Sequence, residues 1–187
     1  MGDFPVDNTA EEEPREVPGT GRLAAWWPEL AILAAGLLVL IPGLFMGLHA
    51  DDWFQIRPRE TSEVLATFAG DWGEGRQHEG GFYRPFVRVL FTVDSFLYGQ
   101  NAWGYHFTNG LLFLLILFAV YRAGCLLTEG NRELMGVFVV ALIAVNPVKN
   151  EALYWASGRT DLLATLFVLG AFWASLKAIA SERIGLA

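Results

Sequence analysis

The residues of this sequence that could do chemistry are acids and arginines in a few short stretches. Asp51 and Asp52 are adjacent carboxylates, and a carboxylate can take a proton from an attacking hydroxyl or bind a metal ion. Arginine binds phosphate through forked hydrogen bonds. The candidate substrate-binding residues are Arg84, Arg88, Glu151, Arg159 and Asp161. Gathered on one face near a lipid surface, these residue types would suit a site for an anionic, lipid-linked substrate. We assign no metal ligands and leave the cofactor undetermined, with a divalent cation as one option.

Each of these groups also has a simpler interpretation. Asp51 and Asp52 could mark the point where a helix leaves a membrane, which is about as common as catalysis. Arg84 and Arg88 could extend to lipid headgroups. The acids and the arginine between positions 151 and 161 could form a structural ion-pair network around a helix start. Residue types and spacing alone therefore establish only a membrane protein with a polar face.

Long runs with almost no charge dominate the rest of the sequence. Of the 187 residues, 53% are hydrophobic, and a hydrocarbon core about 30 Å thick is crossed by roughly 20 apolar residues in a helix. We therefore predict an all-α, polytopic membrane helical bundle with about four transmembrane helices. The predicted segments are a disordered acidic tail at 1–25, spans at about 26–48, 103–127, 133–147 and 160–180, and an external loop at 49–102.

The external loop ends in a stretch with helical periodicity, from Arg84 to Tyr98. Polar residues three or four positions apart share one narrow face of this helix, and apolar residues cover the rest. The polar face carries Arg84, Arg88, Thr92 and Ser95. We predict a juxtamembrane amphipathic helix whose polar stripe points to a site or to water.

Four spans put the loop after the first span and the loop after the third span on the same side of the membrane. That side receives the Asp51–Asp52 pair, Arg84 and the segment from Glu151 to Asp161. Ionisable groups near a membrane are costly and usually have partners or functions. We therefore expect these charges to converge on one site. The distribution of Lys and Arg favours a cytoplasmic N-terminus.

Net charge and cysteine content narrow the function classes. The formal net charge is −7, and without a basic patch there is nothing to replace phosphate counterions, so we expect no nucleic-acid partner. The single cysteine, Cys125, excludes an internal disulfide and a cysteine-rich zinc site. The lipid bilayer is the partner that the composition predicts.

Five short motifs, in this order and spacing, resemble one known group of enzymes. They are His49–Trp53, Phe82–Phe86, Asn101–Asn109, Asn146–Ala152 and Gly158–Leu163. The pattern is similar to the N-terminal part of the GT-C superfamily of polyprenyl-phosphate-sugar glycosyltransferases. It is most like the transmembrane-and-TPR O-mannosyltransferase-like group, and residues 26–187 would then be the N-terminal portion of a GT-C-like transmembrane domain.

The resemblance implies an inverting transfer of a sugar from a polyprenyl-phosphate donor to a protein, lipid or glycan acceptor. A first-loop acid would act as base or metal ligand, with Asp51 narrowly preferred over Asp52. Arg84 and Arg159 would contact the donor phosphate, with Arg88 in the same substrate-binding set. Glu151 and Asp161 would orient the arginines or the acceptor. We expect a fragment of a larger enzyme, inactive alone, in a bacterial cytoplasmic membrane.

A non-catalytic alternative stays open from the sequence. The chain could be a polytopic membrane subunit or a transporter-like module whose charged face pairs with partner helices. The acceptor, the sugar and the oligomeric state are not determined by these residues.

Overall fold

The computed structural model of the protein describes residues 26–50, 52–70, 83–128, 131–147 and 149–185. The predicted disordered tail at 1–25 lies outside the described residues, and so does Asp51. The described residues fold into helices joined by short connections, which confirms the all-α class.

Eight α-helices and one 3-10 turn make up this described part. They are α1 (Trp27–Leu44), α2 (Asp52–Gln55), α3 (Thr61–Ala66), α4 (Pro85–Tyr98), α5 (Ala102–Leu127), α6 (Arg132–Val145), α7 (Lys149–Tyr154), the 3-10 turn Ala156–Gly158, and α8 (Arg159–Gly185). Pro28 and Pro85 lie in the first turns of α1 and α4, where the missing N–H of proline breaks no hydrogen bond.

Within the described residues, three helical segments are long and apolar enough to cross a membrane. They are Trp27–Leu44, Ala102–Leu127 and Ala156–Ile179. They correspond to the predicted spans at 26–48, 103–127 and 160–180. The protein is therefore an integral membrane protein with a helical bundle as its core.

The span predicted at 133–147 is shorter than a membrane crossing requires. Helix α6 has 14 residues, which at about 1.5 Å per residue is roughly 21 Å, against about 30 Å of hydrocarbon. It ends before Asn146-Pro147, because a residue before proline avoids the helical conformation. The described residues thus contain three long apolar helices and one short apolar helix, and the estimate of about four spans stays a prediction.

After the break at Asn146-Pro147, helix α7 leads the chain back toward the end of α1. The Tyr154 hydroxyl donates a hydrogen bond of 2.7 Å to the carbonyl of Val39, near the end of α1. The α6–α7 pair therefore brings the chain back to the end of the bundle where α1 finishes. The predicted return to one face is preserved although α6 alone is too short to span.

Helix α5 is the central element of the bundle and packs against α1, α6 and α8. The main hydrophobic core lies along it and consists of Ile32, Phe113, Ile116, Leu117, Tyr121, Val140, Leu153 and Leu162. A second, smaller cluster lies toward the loops and consists of Ile56, Val87, Phe91, Tyr105 and Ala156. Burial of these apolar surfaces orders the loop elements against the membrane helices.

Helix α4 is amphipathic, as predicted, and its polar side faces the protein interior. Arg88, Asp94 and Ser95 are buried. On the other side, Phe86 is 54% and Phe96 89% exposed. Apolar residues outside and charges inside are the arrangement expected of a helix in contact with lipid. Gly99 ends the helix with φ +59°, a conformation that glycine adopts without a steric penalty.

Candidate functional site

A tight turn after α1 holds the carboxylate of Asp52 inside the protein. Asp52 is 0% exposed. Its Oδ2 accepts a hydrogen bond of 2.9 Å from the His49 backbone N–H, and the Asp52 N–H donates one of 2.8 Å to the His49 carbonyl. Ala50, between them, has φ +37°, a left-handed conformation that is strained for a residue with a Cβ. The sharp turn at this acidic motif is therefore held by surrounding contacts.

Asp52 also connects the first loop to the segment that precedes α8. Its Oδ1 accepts hydrogen bonds from the backbone N–H of Ser157 at 2.8 Å and from the Ser157 hydroxyl at 2.7 Å. These two residues are 105 positions apart in the sequence. The predicted convergence of the two polar segments on one face is confirmed by this contact.

The segment from Trp155 to Gly158 is positioned by α5 and α7. The side-chain amide of Asn109 donates to the carbonyls of Trp155, at 2.9 Å, and Ala156, at 3.4 Å. A Cβ on Gly158 would lie 2.7 Å from the Cα of Ala152 in α7, so only glycine fits at this approach. Backbone groups between α7 and α8 are thus satisfied by side chains from a neighbouring helix.

Arg159 is 0% exposed and completes this arrangement from the first turn of α8. Its Nη2 pairs with Asp94 Oδ2 at 2.6 Å, and its Nε donates to Asn109 Oδ1 at 3.2 Å. The guanidinium lies 4.1 Å from the centre of the Phe91 ring. Its Nη1 has no hydrogen-bond partner among the described residues. We call Asp52, Asp94, Asn109 and Arg159 the buried network.

The carboxylate of Asp94 has a second partner and a perturbed acidity. The Thr108 hydroxyl donates to its Oδ1 at 3.0 Å. Burial raises the pKa of Asp94 above its ordinary value, and the charge and hydrogen bond of Arg159 oppose that rise. The carboxylate and the guanidinium compensate each other's burial, so each depends on the other to remain inside the protein.

A cleft of about 210 Å³ opens beside the buried network. It is lined by Gln55, Arg84, Val87, Phe91, Glu151, Trp155, Ser157, Gly158, Thr160 and Asp161. Gln55 Oε1 and Trp155 Nε1 have no hydrogen-bond partner among the described residues. The cleft lining therefore combines a cationic group, two carboxylates, hydroxyls and two aromatic side chains.

The predicted site residues fall into two groups. Arg84, Glu151 and Asp161 are brought together as cleft-lining residues. Arg88, Arg159 and Asp52 are buried and are not among the residues that line it. Asp51 lies outside the described residues. The catalytic and binding roles of all seven stay predictions.

Sequence reasoning missed Asp94 and Asn109, which organise the buried network. Asp94 is the one acid in the apolar sequence of α4, and Asn109 lies inside a membrane-spanning helix. Polar groups in such positions usually have partners, and this signal could have found both. Among the described residues no group of three or more His, Cys, Asp or Glu side chains could hold a metal ion.

The chain is similar in sequence to several animal protein O-mannosyl-transferases. The chain is 34% identical over 166 residues to mouse protein O-mannosyl-transferase TMTC1, covering 78% of the chain and 17% of that protein. It is 29% identical to human TMTC3 and to mouse TMTC2, covering 69% and 75% of the chain and 14% and 18% of those proteins. No family profile and no solved structure matches.

These similarities confirm the resemblance to an O-mannosyltransferase-like group that the motifs indicated. The chain spans less than a fifth of the length of these curated relatives. The relatives come from animals and give no support to the bacterial membrane that the sequence analysis expected.

Proposed function

We propose that this chain contributes the polar face of a GT-C-type membrane glycosyltransferase. The enzyme would transfer a sugar, with inversion, from a polyprenyl-phosphate donor to a protein, lipid or glycan acceptor. The observation that supports this most is the cleft that joins Arg84 to Glu151 and Asp161 beside the membrane helices. A lipid-linked donor reaches such a site from the bilayer, with its phosphate at the polar boundary.

The chemical step that we propose is a single displacement at the anomeric carbon. A base removes the proton of the acceptor hydroxyl as its oxygen forms a bond to the anomeric carbon on the face opposite the phosphate. The bond between the anomeric carbon and the phosphate oxygen breaks, and its electron pair leaves with the polyprenyl phosphate. Attack from the opposite face inverts the anomeric centre.

Arg84 is the residue that we assign to the leaving phosphate, because it lines the cleft and a guanidinium stabilises charge on phosphate oxygens. Glu151 and Asp161 are assigned to the sugar or acceptor hydroxyls. Their carboxylate oxygens can accept hydrogen bonds that these hydroxyls donate. The burial of Arg159 and its pairing with Asp94 favour a positioning role over the direct phosphate contact that the resemblance implied. Burial of Arg88 favours the same for that residue.

Asp51 is the base that we propose, and Asp52 is assigned to positioning it. The carboxylate oxygens of Asp52 accept hydrogen bonds from His49 and Ser157. Both carboxylate oxygens are thereby engaged in contacts inside the fold. Asp52 thus anchors the turn that carries its neighbour. Direct coordination of a cation by Asp51 is the alternative role for that carboxylate.

The test uses the protein at its native length and assays mannose transfer from polyprenyl-phosphate mannose. Asp51→Asn should lower turnover by about 100-fold or more with folding intact, the usual range for loss of a general base. Glu63→Gln, an exposed acid of the same loop, is the matched control and should keep full turnover. Unchanged turnover in Asp51→Asn would eliminate the proposed base.

The assay also separates the enzyme from the non-catalytic alternative. A membrane subunit or transporter-like module would show no transfer above background in the unaltered protein. Activity in the unaltered protein that falls in Arg84→Gln, with the loss concentrated in KM for the donor, supports the assignment of Arg84 to the phosphate.

A further inference from the structure

Three aromatic side chains connect the first loop to the lipid-facing side of a spanning helix. The ring of Phe68, just after α3, lies edge-on to Phe86 of α4, with 5.8 Å between centroids. Phe86 in turn lies 5.3 Å from Phe167 of α8. All three side chains are exposed in the chain itself. We call Phe68, Phe86 and Phe167 the aromatic ladder.

The position of Phe167 along α8 sets the depth of the ladder. Phe167 is eight residues after Arg159, or about 12 Å along the helix axis at 1.5 Å per residue. The headgroup layer on each side of a bilayer is only about 5–8 Å thick. With Arg159 taken at the outer edge of the headgroup layer, Phe167 and the Phe86 ring beside it lie level with acyl chains, and the Phe68 ring meets Phe86 edge-on.

A second contact holds the segment after α2 beside the start of α4. The Tyr83 hydroxyl donates a hydrogen bond of 3.2 Å to the carbonyl of Phe68. Leu65, one turn before Phe68 on the same side of α3, is 63% exposed. Glu63 lies on nearly the opposite side of α3 and is also exposed. The segment thus presents an apolar residue on one side and a charged residue on the other.

From this continuity we infer that residues 61–70 dock on the bilayer as a non-spanning wedge, with Leu65 and Phe68 in contact with lipid acyl chains. The occupant of this apolar surface is lipid because the surface is continuous with Phe167 on a spanning helix. Part of the predicted external loop is then embedded in the membrane. The inference is independent of the enzymatic proposal.

The test measures depth with a fluorescent label on single cysteines. In a Cys125→Ser background, Leu65→Cys, Glu63→Cys and Val168→Cys are each labelled with NBD, and the chain is reconstituted in phosphatidylcholine vesicles. Val168 is 68% exposed on α8 and serves as the reference for acyl depth. Helix content by circular dichroism confirms that each variant is folded.

The inference expects acyl-chain nitroxide lipids to quench the label at position 65 severalfold more strongly than the label at 63, and nearly as strongly as that at 168. Aqueous iodide should give the reverse order. Strong iodide quenching at 65 would overturn the inference. Quenching by neither reagent would also overturn it, because the surface would then be covered by protein.

A variant of the ladder tests its part in holding the wedge. Phe86→Ala removes the middle ring, and the label at 65 should then become less accessible to nitroxide lipid and more accessible to iodide. Phe96→Ala, on the exposed side of the same helix, is the matched control and should leave both values unchanged. If quenching of the label at position 65 by both reagents is unchanged in Phe86→Ala, the aromatic ladder does not hold the wedge.

Discussion

The buried network and the cleft lie at the same end of the bundle and differ in access. Asp94 and Arg159 of the network find their charged partners within the chain, whereas Glu151 and Asp161 of the cleft are exposed. Both regions contain acids and arginines, so residue type does not distinguish them. What distinguishes them is whether a charge is compensated inside the fold or exposed at the cleft.

This difference teaches how the site is supported. The network connects α4, α5 and the start of α8 through Asp94, Asn109 and Arg159. The cleft residues come from α2, the start of α4, α7 and the segment that leads into α8. Substitutions in the network should therefore act on stability first, and substitutions in the cleft should act on ligand binding.

The largest effect is expected for the buried ion pair. Arg159→Met leaves the Asp94 carboxylate buried without its partner, which costs about 3–5 kcal/mol of unfolding free energy. The double variant Asp94→Leu/Arg159→Met should lose less than the sum of the two single changes. Denaturant titration in detergent micelles measures both values.

Lys177 provides the matched control for this pair. It lies on the same helix, with its Nζ 4.0 Å from the centre of the Trp173 ring. Lys177→Met should lower the unfolding free energy by no more than about 1 kcal/mol. The comparison between network and surface fails if Arg159→Met is no more destabilising than this control.

A smaller loss is expected at Asn109. Asn109→Leu removes the acceptor of Arg159 Nε and the donor to the carbonyl of Trp155. Stranding buried polar groups in this way should cost about 2 kcal/mol. The unfolding free energy is measured as above, with Asn101→Leu as control, because Asn101 is exposed and its side chain makes no capping bond. Equal effects in the two variants would argue against the network.

The contact between the two loops should contribute less again. Ser157→Ala deletes the hydroxyl bond to Asp52 but keeps the backbone N–H bond, so the expected loss is about 1–2 kcal/mol. Ser175→Ala is the matched control, since its hydroxyl only bonds the Ala171 carbonyl of its own helix. A loss in the control as large as that in Ser157→Ala would remove the special role of the loop contact.

The smallest change in stability is expected in the cleft, together with a large change in activity. Arg84→Gln and Glu151→Gln should each alter the unfolding free energy by less than about 1 kcal/mol. The transfer rate at a donor concentration below KM, measured on the same preparations, should fall severalfold. A cleft variant that loses stability as severely as Arg159→Met would show that the two regions are not separate.

Much of the membrane architecture could be predicted from the sequence, because hydrophobic length is a local property. The apolar runs located the three long helices, and Pro85 located the start of α4. The path of the chain after the short helix α6 could not be inferred in the same way. Its return to the loop face depends on α7 and on the contact of Tyr154 with Val39, which are 115 positions apart.

The sequence by itself determined that acids and arginines collect at one end of a membrane bundle. Only the tertiary structure decided which of them are buried, because burial depends on neighbours far apart in the chain. Asp94 and Arg159 are separated by 65 positions, and Asp52 and Ser157 by 105. No local pattern records such pairs. Glu151 and Arg159 are both charged residues of one short segment, yet the first is exposed in the fold and the second is buried.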